Sequence, residues 1–147
     1  MLDIKVKSFK EFNIEELYNV LQLRSDIFVV EQDCVYLDID GKDDKAIHVL
    51  GYKNDKVVAY TRIFKPGDYF EQASIGRVAV HKEYRKFGFG KIIMQASIKA
   101  VEEQFNKNEI KISAQKYLTK FYTDLGFKST GEEYLEDGIP HIAMIKK

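Results

Sequence analysis

The amino-acid sequence predicts one α/β (α+β) domain over residues 1–147, with a central mixed, mostly antiparallel sheet and helices on both faces. Segments whose apolar side chains recur at every second residue, as in strands, alternate with segments whose apolar side chains recur at helical spacing. Their order along the chain is β, α, a run of antiparallel β, α, β, α, β, β. A chain of 147 residues has the length of a single domain, and no repeat, low-complexity tract or Pro/Ser-rich linker divides it.

The N-terminal part of the chain carries local signals for a strand and a capped helix. Residues 2–7 alternate apolar and polar side chains, as a half-buried strand does. Asn13 is a favoured N-cap residue, and Glu16 three positions later completes a capping box. The helix that begins there is predicted to continue to residues 28–30. The acidic segment 31–45 that follows is predicted as a loop or a short helix.

The rest of the chain alternates between strands and helices, with turn residues between them. Residues 53–55 (Lys-Asn-Asp) are predicted as a hairpin turn, and residues 66–68 (Pro-Gly-Asp) break the next connection. Gly126 is expected directly after the last helix, as a C′ residue. The predicted strands are residues 46–52, 56–64, 73–80, 109–114, 127–134 and 141–145, and the predicted helices are residues 91–105 and 117–125.

The most informative turn is Arg-Lys-Phe-Gly-Phe-Gly at residues 85–90, between a predicted strand and a predicted helix. Unpaired amides and the helix dipole attract anions to a helix N-terminus, and Gly88 and Gly90 let the backbone approach a ligand closely. A Walker loop is excluded because no Gly-Lys-Ser or Gly-Lys-Thr occurs. A dinucleotide fingerprint is excluded because Ile93 stands where the third glycine is needed. The remaining readings are a phosphate site of another class or a tight turn without a ligand.

Composition excludes several classes of partner and location. The chain has 23 basic and 23 acidic residues, and this zero net charge argues against nucleic acid as the main partner. No apolar run approaches the ~20 residues that span a bilayer, and the N-terminus lacks the apolar core of a signal peptide. Cys34 is the only cysteine, so no internal disulfide can form, which is typical of a reducing cytoplasm.

Two motifs together resemble those of the GCN5-related N-acetyltransferase (GNAT) family. Val-Ala-Val at residues 78–80 precedes residues 85–90, which match the family pattern [Arg/Gln]-x-x-Gly-x-[Gly/Ala], and Tyr-Thr-Asp-Leu-Gly-Phe follows at residues 122–127. The position after Arg85, usually glycine in the family, is Lys86 here. Within the family the chain resembles the small ElaA-like group. The matching stretches are LRSDIFVVEQDCVYLDIDGKD (23–43), AQKYLTKFY (114–122) and EEYLEDGIPHIAM (132–144).

The resemblance implies that acetyl-CoA binds as co-substrate in a V-shaped gap between two parallel strands, residues 74–80 and 109–114, that separate from each other. The pantetheine arm would pair with strand backbone, the amides of the glycine turn would hold the pyrophosphate, and Gln115 would face the pantetheine. Phe87 and Phe89 would cover the ligand or pack in the core, and core packing is favoured for Phe89. The implied cofactor-binding residues are Val78, Ala79, Val80, Arg85, Lys86, Phe87, Gly88, Phe89, Gly90, Lys91 and Gln115.

The resemblance also implies direct attack of an amine on the thioester, with Tyr122 as the group that hydrogen-bonds the departing sulfur. A backbone N–H near Val80 would stabilise the oxyanion. Tyr117 lies five residues before Tyr122 and therefore on another helix face, so it should not share this role. A base must deprotonate the amine. Glu31 is the first choice, and the other candidates are Asp38, Asp40, His48 and Glu71.

The expected acceptor is a primary amine of a small molecule or a peptide, and its identity lies beyond the sequence. A homodimer formed through the terminal strands is a further expectation. No metal is expected because the three histidines and Cys34 lack metal-ligand spacing. The alternative function is a non-catalytic acyl-CoA-binding or regulatory module, which needs the glycine turn but not Tyr122. A third reading, an interaction domain without a ligand, would make both motifs accidental.

Overall fold

A seven-stranded sheet runs through the molecule in the computed structural model, which describes all residues from Met1 to Lys147. The strands are β1 (Asp3–Ser8), β2 (Ile47–Lys53), β3 (Lys56–Phe64), β4 (Ala73–Val80), β5 (Ile110–Gln115), β6 (Lys128–Glu136) and β7 (Ile139–Lys146), in the spatial order β1-β2-β3-β4-β5-β7-β6. Only the β4–β5 pair is parallel, and every other pair is antiparallel. The predicted mixed, mostly antiparallel sheet is confirmed.

Helices cover both faces of this sheet. They are α1 (Ile14–Arg24), α2 (Phe89–Phe105) and α3 (Thr119–Asp124), with short 3-10 helices at Phe9–Glu11, Asp43–Lys45, Lys82–Phe87 and Lys116–Leu118. The contacts of two consecutive β3 residues show which helix covers each face of the sheet. Thr61 hydrogen-bonds Ser97 of α2 at 2.6 Å, whereas Tyr60 belongs to a separate core with Val20 and Leu23 of α1. Since successive strand residues point to opposite faces, α1 and α2 lie on opposite sides of the sheet.

The first helix forms as its local sequence predicts and then changes its winding. Asn13 Oδ1 accepts the Glu16 amide at 2.8 Å, and Glu16 Oε1 accepts the Asn13 amide at 3.1 Å, so the predicted capping box is present. After α1 the chain continues as a π-helical segment, Ser25–Glu31. The predicted continuation to residues 28–30 is therefore nearly right. Most of segment 31–45 is loop, and it closes with the short helix Asp43–Lys45.

The parallel strands β4 and β5 pair at one end only. Ala73 pairs with Ile110 and Ser74 with Lys111, but β4 continues to Val80 and β5 to Gln115 without further pairing. A β-bulge accompanies the separation. Residues 77–78 of β4 lie opposite a single β3 residue, and Arg77 has a φ of +49°. Bulges bend a strand and increase its twist. The expected V-shaped gap between these strands is thus confirmed, with its apex at Ser74.

Two boundaries differ from the sequence prediction for local reasons. Residues 85–87 belong to a 3-10 helix, and α2 begins at Phe89 rather than at Lys91, because Gly88 adopts a φ of +75° and separates the two helices. Strand β7 begins at Ile139 and includes Pro140, which the prediction placed in the turn. Pro140 is tolerated because β5 ends at Gln115, which pairs with His141. No β5 residue therefore lies opposite Pro140, and no β5 carbonyl is left without a donor by the N–H that proline lacks.

None of the helices combines the length and the apolar composition that crossing a membrane requires.

Candidate active site

The gap between β4 and β5 offers backbone rather than side chains to a ligand. Beyond Ser74, the edge of β4 that faces β5 has no partner strand. The side chains of Val78, Ala79 and Val80 are used elsewhere: Ala79 packs in the α1 core, and the two valines pack against the core under α2. Unpaired backbone amides and carbonyls are costly to bury. This edge therefore fits an extended, amide-containing ligand such as a pantetheine arm.

The glycine turn lies where the two strands are furthest apart. Gly88 is the N-cap of the 17-residue helix α2, and no side chain caps that helix. A Cβ at Gly88 would meet no atom within 4 Å, so the positive φ rather than crowding requires glycine there. The first amides of α2 are left for solvent or an anion, and the helix dipole adds to their positive potential. Lys86 and Phe87 are exposed beside them, and Lys91 is exposed on the first turn of the helix.

Gly90 brings the glycine turn against the other elements of the candidate site. A Cβ at Gly90 would lie 3.5 Å from Phe121 of α3 and 3.9 Å from Val80 at the end of β4. The N-terminus of α2 is therefore packed between α3 and β4. Phe89 is 3% exposed and stacks on Tyr84, with ring centroids 6.3 Å apart. Phe89 thus belongs to the core, whereas Phe87, at 54% exposure, is free to cover a ligand.

Arg85 is held by protein partners rather than left free above the turn. Its Nη2 donates to Glu31 Oε1 at 2.7 Å, and its Nε donates to the carbonyl of Val80 at 3.0 Å. The hydrogen bonds from Arg85 lower the pKa of Glu31. A lowered pKa makes a carboxylate a weaker proton acceptor. The role of Glu31 as the base stays a prediction, and its contacts favour a role in fixing Arg85 at the end of β4.

Tyr122 lies on the buried side of α3. The residue is 6% exposed, and its ring packs edge-on against Phe121 and Phe127, with centroids 5.0 and 6.1 Å away. Burial raises the pKa of its hydroxyl above the ordinary tyrosine value. Tyr122 therefore stays protonated and can donate a hydrogen bond. Tyr117, at 77% exposure, points to solvent, as the difference in helix face predicts. Gln115 is half-buried at the end of β5.

Two of the four other candidate bases, Asp38 and Asp40, belong to a buried arginine–aspartate network on the α1 face. Arg24, at 0% exposure, donates to the Asp38 carbonyl and to the Asp43 carboxylate, both at 2.8 Å. Arg62 donates to Asp40 and to Asp43 at 2.6 and 2.9 Å. Each arginine thus meets carboxylates that come from the loop after α1. The members of this network are Arg24, Arg62, Arg77, Asp38, Asp40 and Asp43.

The surroundings of Asp40 and His48 leave both residues poorly suited to accept a proton. Burial by itself would raise the pKa of Asp40, but the hydrogen bonds and charge of Arg62 lower it. His48 is buried between the Tyr60 hydroxyl and the Asp43 carbonyl, and burial lowers its pKa. Glu71 is exposed on the loop before β4. These positions favour a structural role for Asp40 and His48, and none of the predicted bases is placed against the apex of the gap.

The structure brings together a group of side chains at the apex that the sequence did not single out. Ser74 ends the paired part of β4, and its buried hydroxyl has no hydrogen-bond partner. Ser113 of β5 donates to Glu136 at 3.3 Å, and Glu136 lies 3.4 Å from the Nε2 atom of His141. Both of these last residues fall in the stretch EEYLEDGIPHIAM, which carries part of the family resemblance. Apart from their place in this stretch, no sequence pattern pointed to Glu136 or His141 as site residues.

A larger groove of about 820 Å³ lies between α1 and the β2–β3 turn. Its walls include Tyr18, Gln22, Val30, Lys56 and His81, and it contains no residue of β4 or β5. The glycine turn and Tyr122 are also absent from its walls. The groove is therefore separate from the candidate active site.

No group of three or more His, Cys, Asp or Glu side chains is arranged to hold a metal ion.

Comparison with known proteins identifies the family. The acetyltransferase (GNAT) domain family matches residues 15–147. Protein ElaA of Escherichia coli is 42% identical over 139 residues, which cover 93% of this chain and 91% of that protein. The crystal structure of E. coli ElaA superposes with a TM-score of 0.92 at 39% identity, and an acyl-CoA N-acyltransferase from Pseudomonas aeruginosa superposes with a TM-score of 0.93 at 36% identity. Both superpositions cover 100% of each chain.

The match to the family extends over nearly the whole chain, and it includes both parallel strands, the glycine turn and α3. The family is thus shown by the sequence and by the fold together, and the chain belongs to the GNAT acetyltransferase family.

Proposed function

We propose that the protein is an N-acetyltransferase that moves the acetyl group of acetyl-CoA directly to a primary amine of a small molecule or a peptide. One observation carries the proposal: the unpaired edge of β4 meets the uncapped N-terminus of α2, which is packed against α3, the helix that carries Tyr122. A tight turn without a ligand would need none of these features to meet.

The donor is held mainly by backbone in this proposal. The backbone of Val78, Ala79 and Val80 pairs with the pantetheine arm in place of the missing β5 partners. The amides of residues 85–91 bind the pyrophosphate, with Lys86 and Lys91 adding positive charge. Gln115 contributes a polar contact from β5. Backbone recognition explains how Lys86 can replace the usual glycine, because the amide remains available whatever the side chain.

The chemistry needs no covalent enzyme intermediate. The neutral amine attacks the thioester carbonyl, and an unpaired backbone N–H on the free edge of β4 stabilises the oxyanion. Tyr122 donates a hydrogen bond to the sulfur as the C–S bond breaks. A phenol with a pKa of about 10 is a poor proton donor to a thiolate whose conjugate acid has a pKa of about 8.5, and burial makes Tyr122 poorer still. Tyr122 therefore assists mainly by stabilising charge on the sulfur.

Two measurements test this function in order. Isothermal titration calorimetry with acetyl-CoA tests the donor site, and the absence of binding would remove the proposal at its first step. A panel of primary amines, assayed by release of the CoA thiol, then tests transfer. Binding of acetyl-CoA with no turnover on any amine would favour the non-catalytic acyl-CoA-binding module instead. Turnover with one class of amine would support the proposal and identify the acceptor.

A further inference from the structure

A small cavity opens beside the apex of the gap, on the face of the sheet that carries α1. Its volume is about 70 Å³, far below the ~300–1,000 Å³ of pockets that enclose a whole ligand. It can therefore take only the reacting end of a substrate. Ser74 and Arg77 of β4, Ser113 of β5 and Glu136 of β6 contribute its polar walls, and Tyr69 and Phe70 are among its aromatic walls.

The surroundings of Ser74 indicate that a hydrogen-bonding group of a ligand belongs in the cavity. The residue is 2% exposed, and its Oγ has no hydrogen-bond partner. Buried hydroxyl groups in proteins almost always have a partner. Ser74 is also the last β4 residue that pairs with β5, so its hydroxyl lies where the gap begins. A polar group of a ligand in the cavity would supply the missing hydrogen bond.

A carboxylate and an imidazole next to the cavity are arranged to share a proton. His141 Nδ1 lies 2.7 Å from the Ile139 carbonyl, an acceptor only, so Nδ1 carries hydrogen and donates it. The Nε2 atom of the neutral ring then has a lone pair, and it lies 3.4 Å from Glu136 Oε2. Nε2 and Oε2 are both hydrogen-bond acceptors at this contact, so a proton on either atom can be donated to the other as a hydrogen bond.

Several charged and ionisable groups surround this pair. Glu136 is the only carboxylate among the residues that line the cavity. The two lining arginines, Arg62 and Arg77, are already paired with aspartates of the buried network. Tyr134 of β6 stacks on His141, and Glu132 of β6 and Tyr69 of the loop before β4 lie near Tyr134. Lys111 of β5 lies over the ring of Phe70, which lines the cavity.

We propose that Glu136 is the base of the transfer reaction. Its carboxylate, at 48% side-chain exposure, is accessible at the cavity mouth and takes a proton from the acceptor's ammonium group, while Ser74 accepts a second N–H of the amine. His141 is a positioning residue that shares the proton with Glu136. This role rests on the proposed acetyltransferase function. It also narrows the acceptor to a primary ammonium on a narrow, unbranched chain, because the cavity admits little more.

The protons and bonds balance along this path. The ammonium loses one proton to the Glu136–His141 pair and becomes a neutral amine. The nitrogen then forms a bond to the thioester carbon, the C–S bond breaks, and the electron pair leaves on sulfur. The second nitrogen proton goes to the thiolate, which yields an amide and free CoA thiol. The pair returns its proton to solvent at the cavity mouth before the next turnover.

The test is the variant Glu136→Gln, measured against acetyl-CoA and the best amine of the panel. We expect kcat/KM for the amine to fall by roughly 100-fold at pH 7, a typical loss for removal of a general base. The defect should shrink as the pH rises, because more of the amine is already neutral. Affinity for acetyl-CoA by calorimetry should stay unchanged. Glu133→Gln is the matched control, since it removes a charge from the same strand at an exposed pair with Lys116.

The variant His141→Gln provides a second readout that does not remove the carboxylate. We expect a smaller loss, about tenfold at pH 7, with the acidic limb of the pH–rate profile displaced because Glu136 has lost the partner that shares its proton. This variant decides the question by the same profile if Glu136→Gln does not fold.

Two outcomes would overturn the role of Glu136 while leaving the proposed function intact. One is a wild-type rate in Glu136→Gln, and the other is a loss of rate that is the same at every pH, which would indicate a structural effect. A third result would contradict both proposals. If the wild-type protein binds acetyl-CoA but acetylates no amine, the proposed function is wrong, and so is the role of Glu136 as its base.

Discussion

The two sides of the β4–β5 gap are built in opposite ways. The glycine turn is one contiguous segment, and its useful groups are backbone amides held by Gly88 at positive φ. The apex cavity is made of side chains from β3, β4, β5, β6 and the loop before β4. A site made of backbone amides tolerates side-chain change, whereas a site made of side chains changes with every substitution. One fold can therefore keep its donor and vary its acceptor.

The ion pair beside the glycine turn and the ion pairs of the buried network also differ, in how far solvent reaches them. Arg85 and Glu31 meet at the rim with side-chain exposures of 44% and 38%, where solvent screens their attraction. Arg24 is wholly buried against Asp38 and Asp43, and none of these groups can be left alone without a large cost. The rim pair joins the segment after α1 to the turn before α2, whereas the buried network fixes the following loop to β3 and β4.

The largest effect is expected from breaking the buried network. Arg24→Ala leaves the three aspartates of the network with only Arg62 and Arg77, so one negative charge stays buried without compensation, and we expect it to lower the free energy of unfolding by about 3–5 kcal/mol. Urea unfolding followed by circular dichroism measures this. Lys120→Ala, which breaks an exposed pair with Asp124, should cost less than about 1 kcal/mol. Equal losses in the two variants would contradict a structural role for the network.

The next effect is expected at the glycine turn. Gly88→Glu places a negative charge beside the phosphates and forces a bulky residue into positive φ, so we expect CoA to bind roughly 100-fold more weakly, a loss of about 2.7 kcal/mol. Calorimetry with CoA measures this. Gly131→Glu is the matched control, because Gly131 also has positive φ and open space around it. Gly88→Asn should bind nearly normally, since asparagine tolerates this φ and keeps the amide.

Unchanged affinity in a folded Gly88→Glu variant would remove the phosphate site from the turn. Loss of affinity in Gly88→Asn would show that the turn depends on more than its backbone amides.

Tyr122→Phe should separate chemistry from binding. Loss of a hydrogen bond to a charged sulfur is worth about 1.5–3 kcal/mol, so we expect kcat to fall roughly ten- to a hundredfold with acetyl-CoA affinity unchanged. Single-turnover kinetics, in which chemistry limits the rate, measure this. A variant with an unaltered rate would assign Tyr122 to the core alone, which its packing against Phe121 and Phe127 also permits.

The smallest effect is expected at the rim. Glu31→Gln removes an exposed ion pair worth about 0–1 kcal/mol, so kcat/KM should change by less than about fivefold. Steady-state assays beside Glu136→Gln make the comparison direct. A fall of about 100-fold in Glu31→Gln that recovers at high pH would instead identify Glu31 as the base, as the sequence predicts, and would move the acceptor to the side of the glycine turn.

Local features of the fold could be predicted from the sequence because they depend on neighbours along the chain. Asn13 and Glu16 form their capping box within one helical turn, and Gly126 takes positive φ directly after α3. The strand, turn and helix around Gly88 could be predicted because they too depend on neighbours along the chain. The spacing between the glycine turn and Tyr122 indicated the family. The start of α2 was misplaced by two residues, because the sequence does not show where a 3-10 helix gives way to an α-helix.

The partners of the charged side chains were decided by the tertiary structure. Glu31 and Arg85 are 54 residues apart, and Arg24 and Asp43 are 19 apart, so no local pattern pairs them. Ser74, Ser113, Glu136 and His141 meet only because β7 inserts between β5 and β6 and because the bulge at Arg77 opens the gap. The sequence by itself predicted the donor site, because the proposed site is local backbone. Strand order and register decided which side chains line the apex cavity, since those contacts join segments far apart in the chain.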